Sequence, residues 1–417
     1  MNFLKTSFWS AISTFIKLAS GLMINKVIAV YIGPAGVALI GQFQNLLNVV
    51  TTLGNGAINS GVTKYVAEYN ETDKHKRDSY ISAAIKITLF VSILLGAVII
   101  VGSRFISEWI FQTNQYHVLF KVLGATLWLI GLNTIILSII NGLKQIKLFI
   151  AVNITGSLLT LIITTILTVK YSLWGALLAM ILVQALLLFI SLPIAKKKIN
   201  IQFKWHSSLP SEFYKKLLAF SLMSVVSVIC VSATQIAIRN HLTTEFSLKE
   251  AGYWQSVWMI SSMYLMVITT ALTTYYLPRL SELEDVGKIR KEIISGYKII
   301  IPFVLITAFA IFVLRDFIIA ILFTKEFYPM RELFFYQLIG DFFKMCSWTL
   351  AFLMIAKGMT KTFIITEILF SLLFYLLTVI FIIQNGLVGV VQAHSVNYLV
   401  YFLTMLFIFR HVVFLKK

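Results

Sequence analysis

Lys17, Lys26, Arg239, Asp341, Lys344 and Glu367 all lie within or at the ends of long apolar runs. In a bilayer interior an ionised side chain costs roughly 2.5–3.5 kcal/mol even on a lenient scale, so such residues face protein or water and mark candidate solute or ion paths. Lys17 continues a row of Thr6, Ser10, Ser13 and Ser20 spaced by helical turns. It stands about 15 Å into its run at 1.5 Å per residue, too deep to snorkel to the surface. Lys26, nine residues further on, comes near the outer end. Asp341 and Lys344 share one helical face, which suits either a local ion pair or a carboxylate that carries a coupled H+ or Na+. Glu367 is a further coupling candidate, close to the cytoplasmic end of its run.

Uncharged groups extend the pattern. Gln42, Asn45, Asn48, Thr52, Asn55 and Asn59 recur every three or four residues, a stripe along one helical face. Amides both donate and accept hydrogen bonds, which suits a hydroxyl-rich ligand, although helices in membranes also use them to bind one another. Ser221, Ser224, Ser232, Gln235 and Arg239 form a similar face, and Trp254, Trp258 and Ser261 are spaced i, i+4, i+7. Tryptophan stacks on sugars and also anchors helices at membrane interfaces. The combination of cations, amides and aromatics with few acids suits a polar, anionic solute. Lys64 and Arg279 sit at the cytoplasmic mouth of such a path.

The elements that hold these residues are dictated by composition. Of 417 residues 59% are hydrophobic and 12% charged, and the mean hydropathy is +0.88. A chain with about half the usual share of charge cannot cover itself with a water-compatible surface, so it reads as an all-α polytopic membrane protein. Twelve apolar runs of spanning length are predicted. With the N-terminus inside, 23 of the 35 Lys and Arg fall in cytoplasmic segments, which places both termini in the cytoplasm. The net charge of +18 is therefore a topology signal, and no polar stretch is long enough for a nucleic-acid-binding face. Cys230 and Cys346 have no metal-ligand spacing and read as packing residues, and no cofactor motif occurs: GxxxxGK[ST], HExxH and GxSxG are all absent.

Features recur at offsets of 214 to 216: Ala35-Gly36 with Ala251-Gly252, Lys64 with Arg279, Gly142 with Gly358, and Leu173-x-Gly175 with Leu387-x-Gly389. Two parallel six-helix bundles are expected, 1–198 and 214–417, joined by a cytoplasmic linker at 199–213. A cation-coupled multidrug antiporter would need a more acidic interior. A polytopic O-antigen polymerase or ligase would need a large outer loop.

The segments YIGPAGVALIGQF (31–43), GVTKYVAEY (61–69), YLPRLSEL (276–283) and LRDFIIAILFTKEFYPMRELFFYQLIGDFFK (314–344) resemble the Wzx-type polysaccharide flippases of the MOP exporter superfamily. The likeness is strongest to the branch of enterobacterial common antigen and O-antigen translocases. The resemblance implies two pseudo-symmetric six-helix bundles around a V-shaped cavity in the bacterial inner membrane. It implies a substrate of undecaprenyl-diphosphate carrying an oligosaccharide repeat unit, moved from the cytoplasmic to the periplasmic leaflet by alternating access. It also implies that the polymerase and chain-length regulator of the same pathway are partners. On this chain Lys17, Lys26 and Arg239 would then meet the diphosphate or acidic sugars. The fourteen-helix lipid II flippases of the superfamily differ by an extra helix pair.

Overall fold

The computed structural model describes residues 3–198, 210–219 and 221–413, and among these every regular element is helical. In chain order they are α1 (Phe3–Tyr31), α2 (Gly33–Gly54), α3 (Asn59–Tyr69), α4 (Lys74–Val101), α5 (Ser103–Phe111), α6 (His117–Gly142), α7 (Ile146–Lys198), α8 (Ser211–Ala219) and α9 (Ser221–Glu245). There follow α10 (Leu248–Ala271), α11 (Leu277–Glu282), α12 (Val286–Val313), α13 (Arg315–Leu322), α14 (Phe334–Ala356), α15 (Thr360–Asn385), α16 (Val388–Ile408) and α17 (Arg410–Val413).

Nine described segments are long and apolar enough to cross a membrane. One of them, α7, is two helices meeting at Ser172, whose backbone leaves the helical region at φ 49, ψ −132. The helices α2 and α10, with 22 and 24 residues, are also of spanning length but carry the amides and tryptophans noted above. Among the described residues twelve helices of spanning length result, as the sequence predicts. Their outward faces carry large apolar side chains such as Phe90, Val101, Ile306, Phe309 and Ile383, each more than two thirds exposed. Surfaces of that kind belong in lipid, and the chain is a multi-pass membrane protein.

The two halves repeat each other element by element. Both α4 and α12 have 28 residues, and both are capped by an aspartate, Asp73 or Asp285, that accepts the backbone N–H three residues on. The break at Ser172 recurs 214 positions later at Gly386, with φ 59 and ψ −144. One expected match is corrected. After α6 the left-handed residue is Lys144, after α14 it is Gly358, again 214 apart, so Gly142 and Gly358 are not equivalent positions. Gly142 instead lies tight against the Thr63 carbonyl and Val66, where a side chain has no room.

The chain forms two compact units, but not by a single cut at the 199–213 linker. The first contains Met1–Tyr31 and Gln42–Ser232, the second Ile32–Gly41 and Ala233–Lys417. Most of the linker, 199–209, lies outside the described residues. Helix α8 packs on α3 and α4: Tyr80 stacks on Tyr65 and Tyr69 with centroids 4.4 and 5.6 Å away, Phe213 meets it edge-on at 4.7 Å, and Leu217 is fully buried. Ser221 at the start of α9 then donates to the Gly56 carbonyl at 2.7 Å, so this stretch belongs with the first unit. The start of α2 belongs with the second because Gly252 lets α10 approach the Pro34 backbone, where any Cβ would collide with the carbonyl.

Candidate functional site

In the first unit, α1 and α2 carry the candidate polar residues. Lys17 is exposed. The exposed Phe15 and Met23 project from a different side of α1, since two and six residues at 100° each turn far from Lys17. Lys26 is half-buried and engaged in interactions of its own. Ser20 and Asn25 are buried, and the side chains of Thr6 and Ser10 lie outside the described ones.

The amide stripe is shorter than its spacing suggests. Gln42 and Asn45 are buried in α2, and the Asn45 Nδ2 makes no hydrogen bond. Asn48 is exposed and accepts from Gln44 at 2.9 Å. The helix then ends at Gly54, and Asn55 is a turn residue whose Oδ1 accepts the Ala57 N–H at 2.9 Å, with Gly56 and Ala57 both at positive φ. Asn59 opens a separate helix. An asparagine that holds its own turn is using local hydrogen bonds that compete with helix, which is why the periodicity misleads there. At the foot of this unit Lys64 is exposed with its ammonium 5.4 Å from the Tyr65 ring.

In the second unit Arg239 and Trp254 do not stand at an open surface. Arg239 is 2% exposed, its Nη2 donates to Gln255 Oε1, and its guanidinium lies 5.6 Å from the centre of the fully buried Trp254 ring. Gln255 is itself lodged against Gly41. In this structure, then, Trp254 carries the arginine rather than offering a face to a sugar. Trp258, one turn on, is half-buried. Arg279 is exposed and reaches two carboxylates, Glu282 at 3.5 Å and Glu292 at 3.8 Å.

A polar cluster lies between α10, α14 and α16. Asp341 is fully buried; its Oδ1 meets His394 Nε2 at 3.2 Å and accepts from Gln337 Nε2 at 3.2 Å, while Oδ2 accepts from Tyr264 at 2.9 Å. Buried polar atoms need such partners, and a carboxylate with donors from three helices has them. The alternative of a local Asp341–Lys344 ion pair is therefore corrected: the partner of Asp341 is His394. Lys344 instead points at rings, 5.0 Å from both Trp258 and Trp348 and 5.4 Å from Tyr398. Glu367 on α15 is half-buried and acts electrostatically on Lys344. The sequence does not single out Tyr264, and it offers His394 only as a deep histidine that reads as packing or cavity-lining. A histidine deep in an apolar run was the available signal, but it is far from Asp341 in the chain, and only the packing of α14 on α16 joins them.

Among the described residues there is no group of three His, Cys, Asp or Glu placed to hold a metal ion.

Residues 3–284 match the family described as polysaccharide biosynthesis protein. The lipid III flippase of Escherichia coli (strain K12) is 30% identical over 415 residues, covering 96% of this chain and 97% of that protein, and the lipid III flippase of Shigella flexneri matches equally. Among solved structures, an inward-facing multidrug resistance MATE family transporter of the MOP superfamily superposes with a TM-score of 0.79 at 17% identity, covering 97% of this chain and 96% of that one. The lipid II flippase MurJ in an inward closed conformation gives 0.73 at 18%, covering 98% and 87%. At these identities the structural likeness shows a shared fold, while the family match spans more than half the sequence. The chain belongs to the polysaccharide biosynthesis protein family and has the fold of the MOP superfamily transporters.

Proposed function

We propose that the protein is a flippase, not an enzyme, which moves an undecaprenyl-diphosphate-linked oligosaccharide of the common-antigen or O-antigen type from the cytoplasmic to the periplasmic leaflet. The observation that carries this is the 30% identity to the Escherichia coli lipid III flippase across almost the whole of both chains. Lys17 and Lys26 are assigned to the diphosphate or acidic sugars and the exposed Asn48 to a sugar contact, while Gln42 and Asn45, buried in this structure, and Trp258, whose ring lies against Lys344, reach a sugar only in another conformation. Lys64 and Arg279 stand at the cytoplasmic mouth. Arg239 and Trp254, buried together here, reach substrate only in another conformation.

The movement is by alternating access, and a ligand shifts such an equilibrium only by binding the two states unequally. We assign a coupled H+ or Na+ to Asp341, whose carboxyl is held by a histidine, a tyrosine and an amide. The bacterial inner membrane, with both termini cytoplasmic, is the expected location, and the polymerase and chain-length regulator of the pathway are the expected partners. The test is deletion of the gene in its host. Lipid-linked oligosaccharide trapped in the cytoplasmic leaflet is expected. Normal delivery to the periplasm in a strain without a second flippase would overturn the assignment.

A further inference from the structure

Lys344 is unusual among the charged groups of the second unit. Its ammonium forms no ion pair with Asp341, one turn away on the same helix, which is bonded to His394, Gln337 and Tyr264. Three aromatic rings surround it instead: Trp258 from α10, Trp348 from α14 and Tyr398 from α16. These walls are fixed by further ring contacts. His394 meets Trp258 edge-on at 5.3 Å and Tyr398 at 4.8 Å, and Phe374 from α15 stacks beside Trp258 at 6.5 Å. Rings on separate helices that converge on one cation make an aromatic cage, the arrangement by which proteins bind ammonium ligands through the negative faces of the π-systems. Asp341 and Glu367 add negative potential from the same interior.

We propose that Trp258, Trp348 and Tyr398 form an alkylammonium site which the chain fills with its own Lys344, and that this tethered cation bars free organic cations from the second unit. The cage is built for a positive charge, and a covalently attached ammonium is present at an effective concentration that a free solute does not match. All four residues are half-buried, so the site is not sealed and relies on being filled. Lys344 thereby determines specificity: it keeps an interior suited to cations from accepting them, whatever glycolipid the protein moves.

The proposal is tested with the full chain in nanodiscs of phosphatidylethanolamine and phosphatidylglycerol, titrated with tetramethylammonium chloride against matched sodium chloride and read by tryptophan fluorescence. Lys344→Ala is expected to give a saturable change with affinity about tenfold or more above the unaltered protein. Adding Trp348→Ala to Lys344→Ala is expected to abolish it. A Lys344→Ala protein that keeps its melting temperature but shows no saturable binding overturns the proposal, as does equal binding by the unaltered protein or binding that survives Trp348→Ala. A second measurement does not depend on Lys344→Ala folding, because its readout is taken on the unaltered protein and the larger Met or Arg side chain serves only to assign the signal. In protein labelled with 13C at the lysine Cε, the Lys344 resonance, identified by its loss in Lys344→Met or Lys344→Arg, is expected upfield through ring currents. A resonance at the position of solvent-exposed lysines would overturn the cage.

Discussion

At the scale of single residues, the charged groups divide by what surrounds them. Lys17 is exposed on the side of α1 away from Phe15 and Met23, whereas Arg239 is enclosed by Gln255 and Trp254. Lys17→Ala is expected to lower translocation of the lipid-linked oligosaccharide about tenfold or more at unchanged protein abundance, since losing one charge-assisted hydrogen bond is worth about 1.5–3 kcal/mol. Loss of activity explained wholly by loss of protein would remove Lys17 from the site. Trp254→Ala should behave in the opposite way. Emptying a fully buried indole position costs about 3–5 kcal/mol, so the melting temperature falls before any effect on substrate is visible. For Asp341, replacement by Asn removes the ionisable group but keeps a side chain that hydrogen-bonds to Tyr264 and His394. Transport by Asp341→Asn in proteoliposomes is expected to lose its dependence on an imposed ion gradient, and unaltered dependence would place coupling elsewhere.

At the scale of elements, the break between the last two spanning helices of each half is set by one backbone conformation. Gly386 sits at φ 59, ψ −144, a region that is costly for any residue with a Cβ; the same break in the first half falls on Ser172, whose Oγ donates to the Tyr31 carbonyl at 3.2 Å. Gly386→Ala is expected to cost about 1–3 kcal/mol, read as a lower melting temperature, and a variant of unchanged stability would contradict the strain. The start of α4 offers a pH-dependent counterpart. Asp73 accepts the Lys76 N–H at 3.0 Å, which holds its carboxyl below the ordinary value. A lowered carboxyl contributes to stability above its unfolded pKa and loses that contribution as pH falls through the folded value. Fraying of the first turn of α4 is therefore expected below about pH 4, visible as a shift of the Lys76 amide resonance, and absent in Asp73→Asn.

At the scale of the whole molecule, the charge distribution and the helix count lead to one further outcome. Cysteines introduced near either terminus and in the 357–361 connection are expected to react only with reagents admitted to the cytoplasm, while one in the 114–116 turn reacts from outside. The opposite pattern would invert the proposed direction of transport. The two units also exchange segments, with Ile32–Gly41 in the second and Ser221–Ser232 in the first. Replacing Gly252, which faces the Pro34 carbonyl, by Val is expected to displace the start of α2 from the second unit and to reduce the yield of folded protein.

The amino-acid sequence by itself determined the membrane setting, the twelve helices and the duplication, because a 30 Å apolar solvent forces long uninterrupted runs of apolar residues and leaves Lys and Arg at their ends. It also singled out Lys17, Asp341 and Lys344, since a charge in such a run is conspicuous whatever its partner. What the sequence could not carry was which charge meets which. Helical spacing relates residues three or four apart, so it offered Lys344 to Asp341 and continued the amide stripe through Asn55 and Asn59. Tertiary packing decided otherwise. It set His394 against Asp341 across 53 positions of chain, gave Lys344 to three rings on three helices, and turned Asn55 into a turn residue. Hydrogen bonds and ring contacts are satisfied by proximity in space, and only the folded bundle specifies that proximity.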